Sequence, residues 1–249
     1  MLNILRARLV QGHRTSRYPK EPAVLPDRFQ GHPVLDPSRC EAGCAKCAEV
    51  CPTDAISLPL ALDMGRCLFC SECVRACPTE AITFSKDHAI AGNGRGDLIV
   101  RSAARQKAKA LDAEMKRLFG RSLKLRQVSA GGCNACELDL NVLSTVVFDM
   151  GRFGIQFVAS PRHADGVVVT GPVTENMKQA LIDTCAAVPA PKLVIAVGAC
   201  AISGGAYAGH PEAHGGADAV TKVDLYIPGC PPHPLTILDG LLRLLGRIE

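Results

Sequence analysis

Two stretches of this chain repeat one another, and the repeat is written in cysteine. Cys40, Cys44, Cys47 and Cys51 run into Pro-Thr-Asp-Ala-Ile, and Cys67, Cys70, Cys73 and Cys77 run into Pro-Thr-Glu-Ala-Ile. A duplicated half-module carrying four thiols per copy is the simplest account of such a pattern. Thirteen cysteines in 249 residues, bunched this tightly, speak for metal rather than disulfides in a chain expected to be cytoplasmic. Four soft thiolates suit either tetrahedral zinc or an iron–sulfur cubane. Zinc ribbons use two Cys-x-x-Cys pairs roughly 15 to 20 residues apart, each acting as a unit. Here each run offers three close thiols plus a Cys-Pro, a set that wraps one corner of a cube, and zinc is the lesser alternative.

Cys67-x2-Cys70-x2-Cys73-x3-Cys77-Pro78 has the ligand run of bacterial two-cluster ferredoxins, whose fourth cysteine serves the other cluster. Cys40-x3-Cys44-x2-Cys47-x3-Cys51-Pro52 differs by one residue before Cys44, which a loop can absorb. Cross-ligation then predicts one 4Fe-4S cluster on Cys40, Cys44, Cys47 and Cys77, and a second on Cys67, Cys70, Cys73 and Cys51. Residues 1–90 are expected to form an arm and an α+β ferredoxin-like module. The arm, residues 1–38, carries Pro19, Pro22, Pro26, Pro33 and Pro37, so an extended path over another surface is expected rather than a helix or strand.

Residues 91–122 turn Gly-rich and then charged, with Arg101, Arg105, Lys107, Lys109, Lys116 and Arg117, which predicts a linker and a solvated helix. From residue 123 onward short aliphatic runs alternate with longer helical stretches. Strands are expected at Leu123 to Val128, Ile155 to Val158, Gly166 to Thr170, Lys192 to Val197 and Asp224 to Ile227. Helices are expected at Glu137 to Met150, Thr174 to Ala187 and Pro234 to Ile248. Continuously apolar strands separated by helices predict a buried parallel sheet in an α/β doubly wound, flavodoxin-like domain spanning 123–249.

Four of the five cysteines in that domain follow expected strands: Cys133 and Cys136, Cys200, and Cys230. In open parallel sheets ligands gather beyond the carboxyl ends of strands, so these four could converge on a third 4Fe-4S cluster. Glycines beside them, Gly131, Gly132, Gly198, Gly204, Gly205 and Gly229, would permit close backbone approach. Cys185, inside an expected helix, reads as a small buried hydrophobe. Glu137 is expected to favour a helix N-terminus, with proton relay as its alternative role. Gly198 to Gly205 lacks the Lys-Ser/Thr of a phosphate loop, and His163, His210, His214 and His233 show no zinc-protease spacing. No complete catalytic site is readable.

Net charge is +4 with no basic stripe interleaved with aromatics, which disfavours nucleic acid. Met1 to Val10 lacks the long apolar region of a secretory signal, and no run approaches the ~20 apolar residues of a membrane span.

Gly-Gly-Cys-Asn-Ala-Cys-Glu at 131–137, Ser-Pro-Arg-His-Ala-Asp at 160–165, Gly-Ala-Cys at 198–200 and Pro-Gly-Cys-Pro-Pro at 228–232 resemble the small subunit of membrane-bound, energy-converting group 4 Ni-Fe hydrogenases and the 20 kDa-type subunit of respiratory complex I. Ser-Arg-Tyr-Pro-Lys-Glu-Pro at 16–22 and Arg-Phe-Gln-Gly-His-Pro at 28–33 resemble the polyferredoxin subunit of the same complexes, so the chain looks like a fusion of two subunits that are usually separate. The Cys-x-x-Cys at 133 and 136 is similar to the hydrogenase pattern, where the complex I pattern has adjacent cysteines.

The resemblance implies an electron-transfer subunit with three 4Fe-4S clusters and no catalytic residue of its own. Its implied partners are a Ni-Fe hydrogenase-type large subunit, membrane subunits, and an upstream donor such as formate dehydrogenase, CO dehydrogenase or ferredoxin. It would sit peripherally on the inner face of the cell membrane through those partners. The alternative is the equivalent subunit of a complex I-like NADH/ferredoxin:quinone oxidoreductase, or of a nickel-free relative.

Overall fold

The computed structural model describes residues 2–102 and 107–248. Helix α1 (Leu2–Gln11) opens the chain and buries none of its residues. This corrects the expected extended arm: the proline-free first turns are helical, and the extended path begins only after Gly12, among the prolines. Strand β1 (Pro33–Leu35), helix α2 (Lys46–Glu49), β2 (Ile56–Ser57), β3 (Ala61–Asp63), α3 (Glu72–Ala76), β4 (Ile82–Phe84) and β5 (Ile99–Val100) follow. β1 pairs with β4, and β2–β3–β5 form a second sheet, all antiparallel. The pairing of β5 with β3 carries the N-terminal module past residue 90, through Val100.

The repeat seen in the sequence is repeated in the backbone. Asp54 and Glu80, at matching places after the two Cys-Pro pairs, both take left-handed φ values, 50° and 52°. The Ala55 amide donates to the Cys51 sulfur and the Ala81 amide to the Cys77 sulfur, each at 3.2 Å.

After α4 (Ala113–Phe119) come β6 (Leu123–Ser129), α5 (Ala135–Val142), β7 (Ile155–Phe157), β8 (Gly166–Thr170), α6 (Glu175–Ala187), β9 (Leu193–Val197), α7 (Ala199–Ser203), β10 (Leu225–Ile227) and α8 (Pro234–Leu244). The five strands make one wholly parallel sheet in the order β10–β9–β8–β6–β7. Counted from β6 this is 2-1-3-4-5, the flavodoxin-like order, with its switch point between β6 and β8.

α4 keeps Lys116 and Arg117 in solvent and buries only Phe119, as a solvated helix should; Arg105 lies outside the described residues. α5 is shorter than the expected Glu137 to Met150, because the chain turns after Leu143 and resumes as a single 3-10 turn at Met150–Phe153.

Strand β8 shows how the layers are built. Val168 points into a core with Leu123, Ile195, Ile227 and the α8 residues Ile237 and Leu241. Val167 and Val169 point the other way, into a core that also holds Leu181 of α6, Ile202 of α7, and Leu62, Met64, Ile82 and Leu98 of the N-terminal module. The N-terminal module therefore covers one face of the parallel sheet and shares its core. A β-bridge between Gly92 and Tyr226 and a hydrogen bond from Ser203 to the Gly65 carbonyl (2.9 Å) cross the same boundary. Among the described residues no helix is long and apolar enough to cross a membrane.

Candidate functional site

The local fold brings the predicted cysteines into three groups of four. Cys40, Cys44, Cys47 and Cys77 line one hollow together with Leu60 and Ile82. Cys51, Cys67, Cys70 and Cys73 line another, walled by Ile56, Leu62, Leu68 and Phe84. Cys51 thus sits with the second run and Cys77 with the first. Short helices α2 and α3 each supply a middle thiol, Cys47 and Cys73, from the buried side. Loops supply the rest, Ser71 reaching a left-handed φ of 64° to start α3.

The third group sits at the carboxyl ends of the parallel strands. Cys133 lies in the loop after β6, Cys136 in the first turn of α5, Cys200 in the first turn of α7 after β9, and Cys230 in the loop after β10. Burial, then the charges of Glu137, Cys200, Cys230 and Cys133, drive the Cys136 thiol up. Cys200 is pushed to about 11 by burial and then by Cys230 and Cys133. In the second group burial lifts Cys67 to about 12 and Cys73 to about 11, each reinforced by its neighbouring thiolates. Burial also lifts Cys47, with Cys77 and Cys40 adding to it. At Cys77 burial pushes up, but donors from Ala81 and Thr79 outweigh it and the thiol falls below its ordinary value. The raised thiols, Cys47, Cys67, Cys73, Cys136 and Cys200, are costly to ionise in isolation, and a cation that compensates their charge favours the thiolate form.

Glycine shapes the third group. Gly198 has φ of +90°, and a Cβ there would come within 2.5 Å of the Cys136 sulfur; at Gly205, φ +54°, it would come within 2.8 Å of the Cys200 sulfur. The backbone is drawn up against the sulfurs closer than any side chain would allow. Among the described residues, no three or more His, Cys, Asp or Glu side chains gather tightly enough to hold a single metal ion. The thiols of the first two groups line hollows.

The groups also have an order. The second lies next to both others: Cys67 and Cys73 share a core with Cys47 of the first, and Leu68 and Phe69 line the same cleft as Cys230 of the third. Cys133 and Cys230 are exposed, as is Cys70. A cleft of about 330 Å³ opens beside Cys230, lined by Phe29, Leu68, Phe69, Asp139 and His233.

Cys185 is buried in α6, in the apolar core, and lines neither of the two hollows. Glu137, in the first turn of α5, is 5% exposed and accepts a hydrogen bond from the Thr170 hydroxyl at 2.6 Å. It is therefore a buried, partnered carboxylate as well as an N-terminal one. His163, His210 and His214 lie outside the three thiol groups; His233 packs edge-on against Phe29, ring centroids 5.4 Å apart. Sequence reasoning missed the polar cluster of Tyr18, His88, Asp239 and Arg243 between the two modules. Its members lie far apart in the chain, and only the spacing of Asp239 and Arg243 along one apolar helix could have flagged it.

Residues 133–244 match the NADH ubiquinone oxidoreductase, 20 Kd subunit family, and residues 60–83 match the 4Fe-4S binding domain. Formate hydrogenlyase subunit 7 of Escherichia coli is 40% identical over 56% of this chain and 55% of its own, so the chain spans about half the length of that relative. The probable membrane-bound hydrogenase subunit mbhJ of Pyrococcus furiosus is 38% identical over 55% of this chain and 81% of its own. An NADH-quinone oxidoreductase subunit of Heliobacterium modesticaldum is 39% identical over 48% of this chain and 69% of its own. By sequence, by the cysteine-bearing ends of its parallel sheet and by these matches, the chain belongs to the family of the NADH ubiquinone oxidoreductase 20 Kd subunit, which includes the membrane-bound hydrogenase subunit mbhJ and the NADH-quinone oxidoreductase subunit it resembles, here preceded by a 4Fe-4S binding domain.

Proposed function

We propose that this chain is the electron-relay subunit of a membrane-associated, energy-converting Ni-Fe hydrogenase-type complex, and that it holds three 4Fe-4S clusters. Cys40, Cys44, Cys47 and Cys77 would ligate the first, Cys51, Cys67, Cys70 and Cys73 the second, and Cys133, Cys136, Cys200 and Cys230 the third. The observation that carries this reading is the gathering of two sets of four cysteines around hollows of the N-terminal module and of four more at the carboxyl ends of the parallel strands, a file in which the second set lies next to both others. A bound cluster supplies one-electron uptake and release. The chain's own part is to fix the thiols, to donate backbone N–H groups such as those of Ala55, Phe69 and Ala81 to thiolate sulfur at 3.2 Å, and to keep water from the buried sulfurs. N–H donors and burial are the levers by which a protein sets such potentials.

The ends of the file have different exposures. The third group presents Cys133 and Cys230 at the surface, which suits hand-over to a large partner that carries the reaction centre. The first group would receive electrons from a donor such as formate dehydrogenase, CO dehydrogenase or ferredoxin, and attachment to the membrane would come through partner subunits. Cys133 and Cys136, separated by two residues, favour the hydrogenase side of the family over the quinone-reducing side.

Anaerobic iron and acid-labile sulfide analysis of the purified chain tests the count. About twelve of each per chain are expected, with about four of each lost in Cys200→Ala. About eight of each, unchanged by the substitution, would remove the third cluster and with it the relay to a large subunit.

A further inference from the structure

The two cluster-bearing modules are joined by more than the sequence between them. The segment from Ser16 to Phe29 lies across their junction, bonded at one end to the α/β domain and at the other to the N-terminal module. At the first end the Ser16 amide donates to the Val147 carbonyl at 2.8 Å. Arg152 donates to the Ser16 carbonyl at 2.8 Å and to the Tyr18 carbonyl at 2.7 Å. At the other end the Lys86 ammonium gathers the carbonyls of Pro26, Asp27 and Phe29.

Tyr18 is the point where the two modules meet through this segment. Its ring is 9% exposed and meets His88 of the N-terminal module edge-on, centroids 5.3 Å apart. Its hydroxyl donates at 2.6 Å to Asp239 of α8. Asp239 is 1% exposed and shares its carboxylate with Arg243, which donates at 2.8 Å to one oxygen and at 3.3 Å to the oxygen that Tyr18 uses. A buried ion pair is tolerable only when its remaining lone pairs are satisfied, and Tyr18 supplies that donor. Withdrawing the strap would leave a buried carboxylate short of a partner, so the strap is held by the cost of its departure as well as by its own contacts.

We propose that Ser16–Phe29 is a strap that fixes the two modules against each other, with Tyr18 as its positioning residue, and that it thereby sets the separation between the Cys70 and Cys230 groups. The inference rests on the relay reading for its consequence, since electron transfer between centres falls steeply with distance. Its structural half stands without clusters. In a chain that carries both modules the strap makes the spacing of the second and third groups an internal property.

The test uses the full chain, reconstituted anaerobically, as parent, Tyr18→Ala, Tyr18→Phe and Arg152→Met. Hydrogen–deuterium exchange reads the strap without reference to iron, and EPR of the reduced protein reads the magnetic interaction between the second and third clusters. In Tyr18→Ala and Arg152→Met, exchange at the Gly92 and Tyr226 amides should rise about tenfold, the factor for losing one hydrogen bond to a charged partner. Iron content and exchange inside β8 and β9 should hold at the parent's values, while the inter-cluster splitting weakens. Tyr18→Phe, which keeps the ring on His88, should fall between. Exchange that rises only within the arm, with the Gly92 and Tyr226 amides and the splitting unchanged, would overturn the proposal. A parent without iron at the third group would instead overturn the relay reading, and the exchange data would still decide the strap.

Discussion

Gly198 shows how finely the third thiol group depends on single atoms. It closes β9 onto the turn into α7, and the space its missing side chain leaves is filled by the Cys136 sulfur. An alanine there meets both a backbone of φ 90° and ψ 155°, a region kept essentially by glycine and costing other residues about 1–3 kcal/mol, and that sulfur. Gly198→Ala is therefore expected to lower iron by about four per chain while leaving the N-terminal module's share intact, as quantitative iron analysis and the surviving EPR signals would show. Full iron retention would mean that the Cys136 loop yields to the methyl group and does not bind where the thiols now gather.

At the scale of elements, the contacts between modules are built from groups that titrate differently. His88 and His233 are both lowered from 6.5 by burial; at His88 the charge of Asp239 opposes that push and Arg243 adds to it, and at His233 the charge of His88 adds to it. Among the described residues the His88 Nε2 is buried without a hydrogen-bond partner. Unfolding frees each ring to take up a proton, so below pH 6.5 the unfolded chain binds more protons than the folded one and stability rises with pH. The stability is complete above that value and is lost as pH falls through the lowered folded values. Thermal unfolding at about pH 7.5 and about pH 5.5 should therefore show a drop at the lower pH. His88→Phe should shrink that drop; an undiminished drop would mean that other groups carry the acid sensitivity.

The strands of the parallel sheet are legible in the sequence because their apolar runs must be buried on both faces: the run from Gly166 to Thr170 has the same bounds in the fold. The thiol sites are legible because ligand spacing and strand ends are both local signals. Helix α1 is not, since proline content farther along the arm masks ten residues that contain none. Nor is the bond from Tyr18 to Asp239, across 221 positions, for no periodicity ties an arm to the side of a distant helix. α7 is a five-residue turn of helix, too short to leave a pattern.

At the scale of the molecule, the second group neighbours each of the other two, since Cys67 and Cys73 share a core with Cys47, and Leu68 and Phe69 line the cleft beside Cys230. Removing the middle centre should then isolate the ends. In Cys67→Ala and Cys73→Ala the first and third clusters are expected to reduce with their own EPR signatures and no mutual splitting, and electrons entering at the first should no longer reach the third on the parent's timescale. Undiminished transfer after loss of the middle centre would show a direct path between the outer two.

The bridge between Gly92 and Tyr226 has one more effect. β10 is the last strand on its side of the parallel sheet, and an uncovered last strand is an invitation to a second molecule to add a strand of its own. Gly92 both donates to and accepts from the Tyr226 backbone, so the N-terminal module occupies that margin with its own main chain. Joining the two modules in one polypeptide thus gives that margin a main-chain partner from within the same molecule.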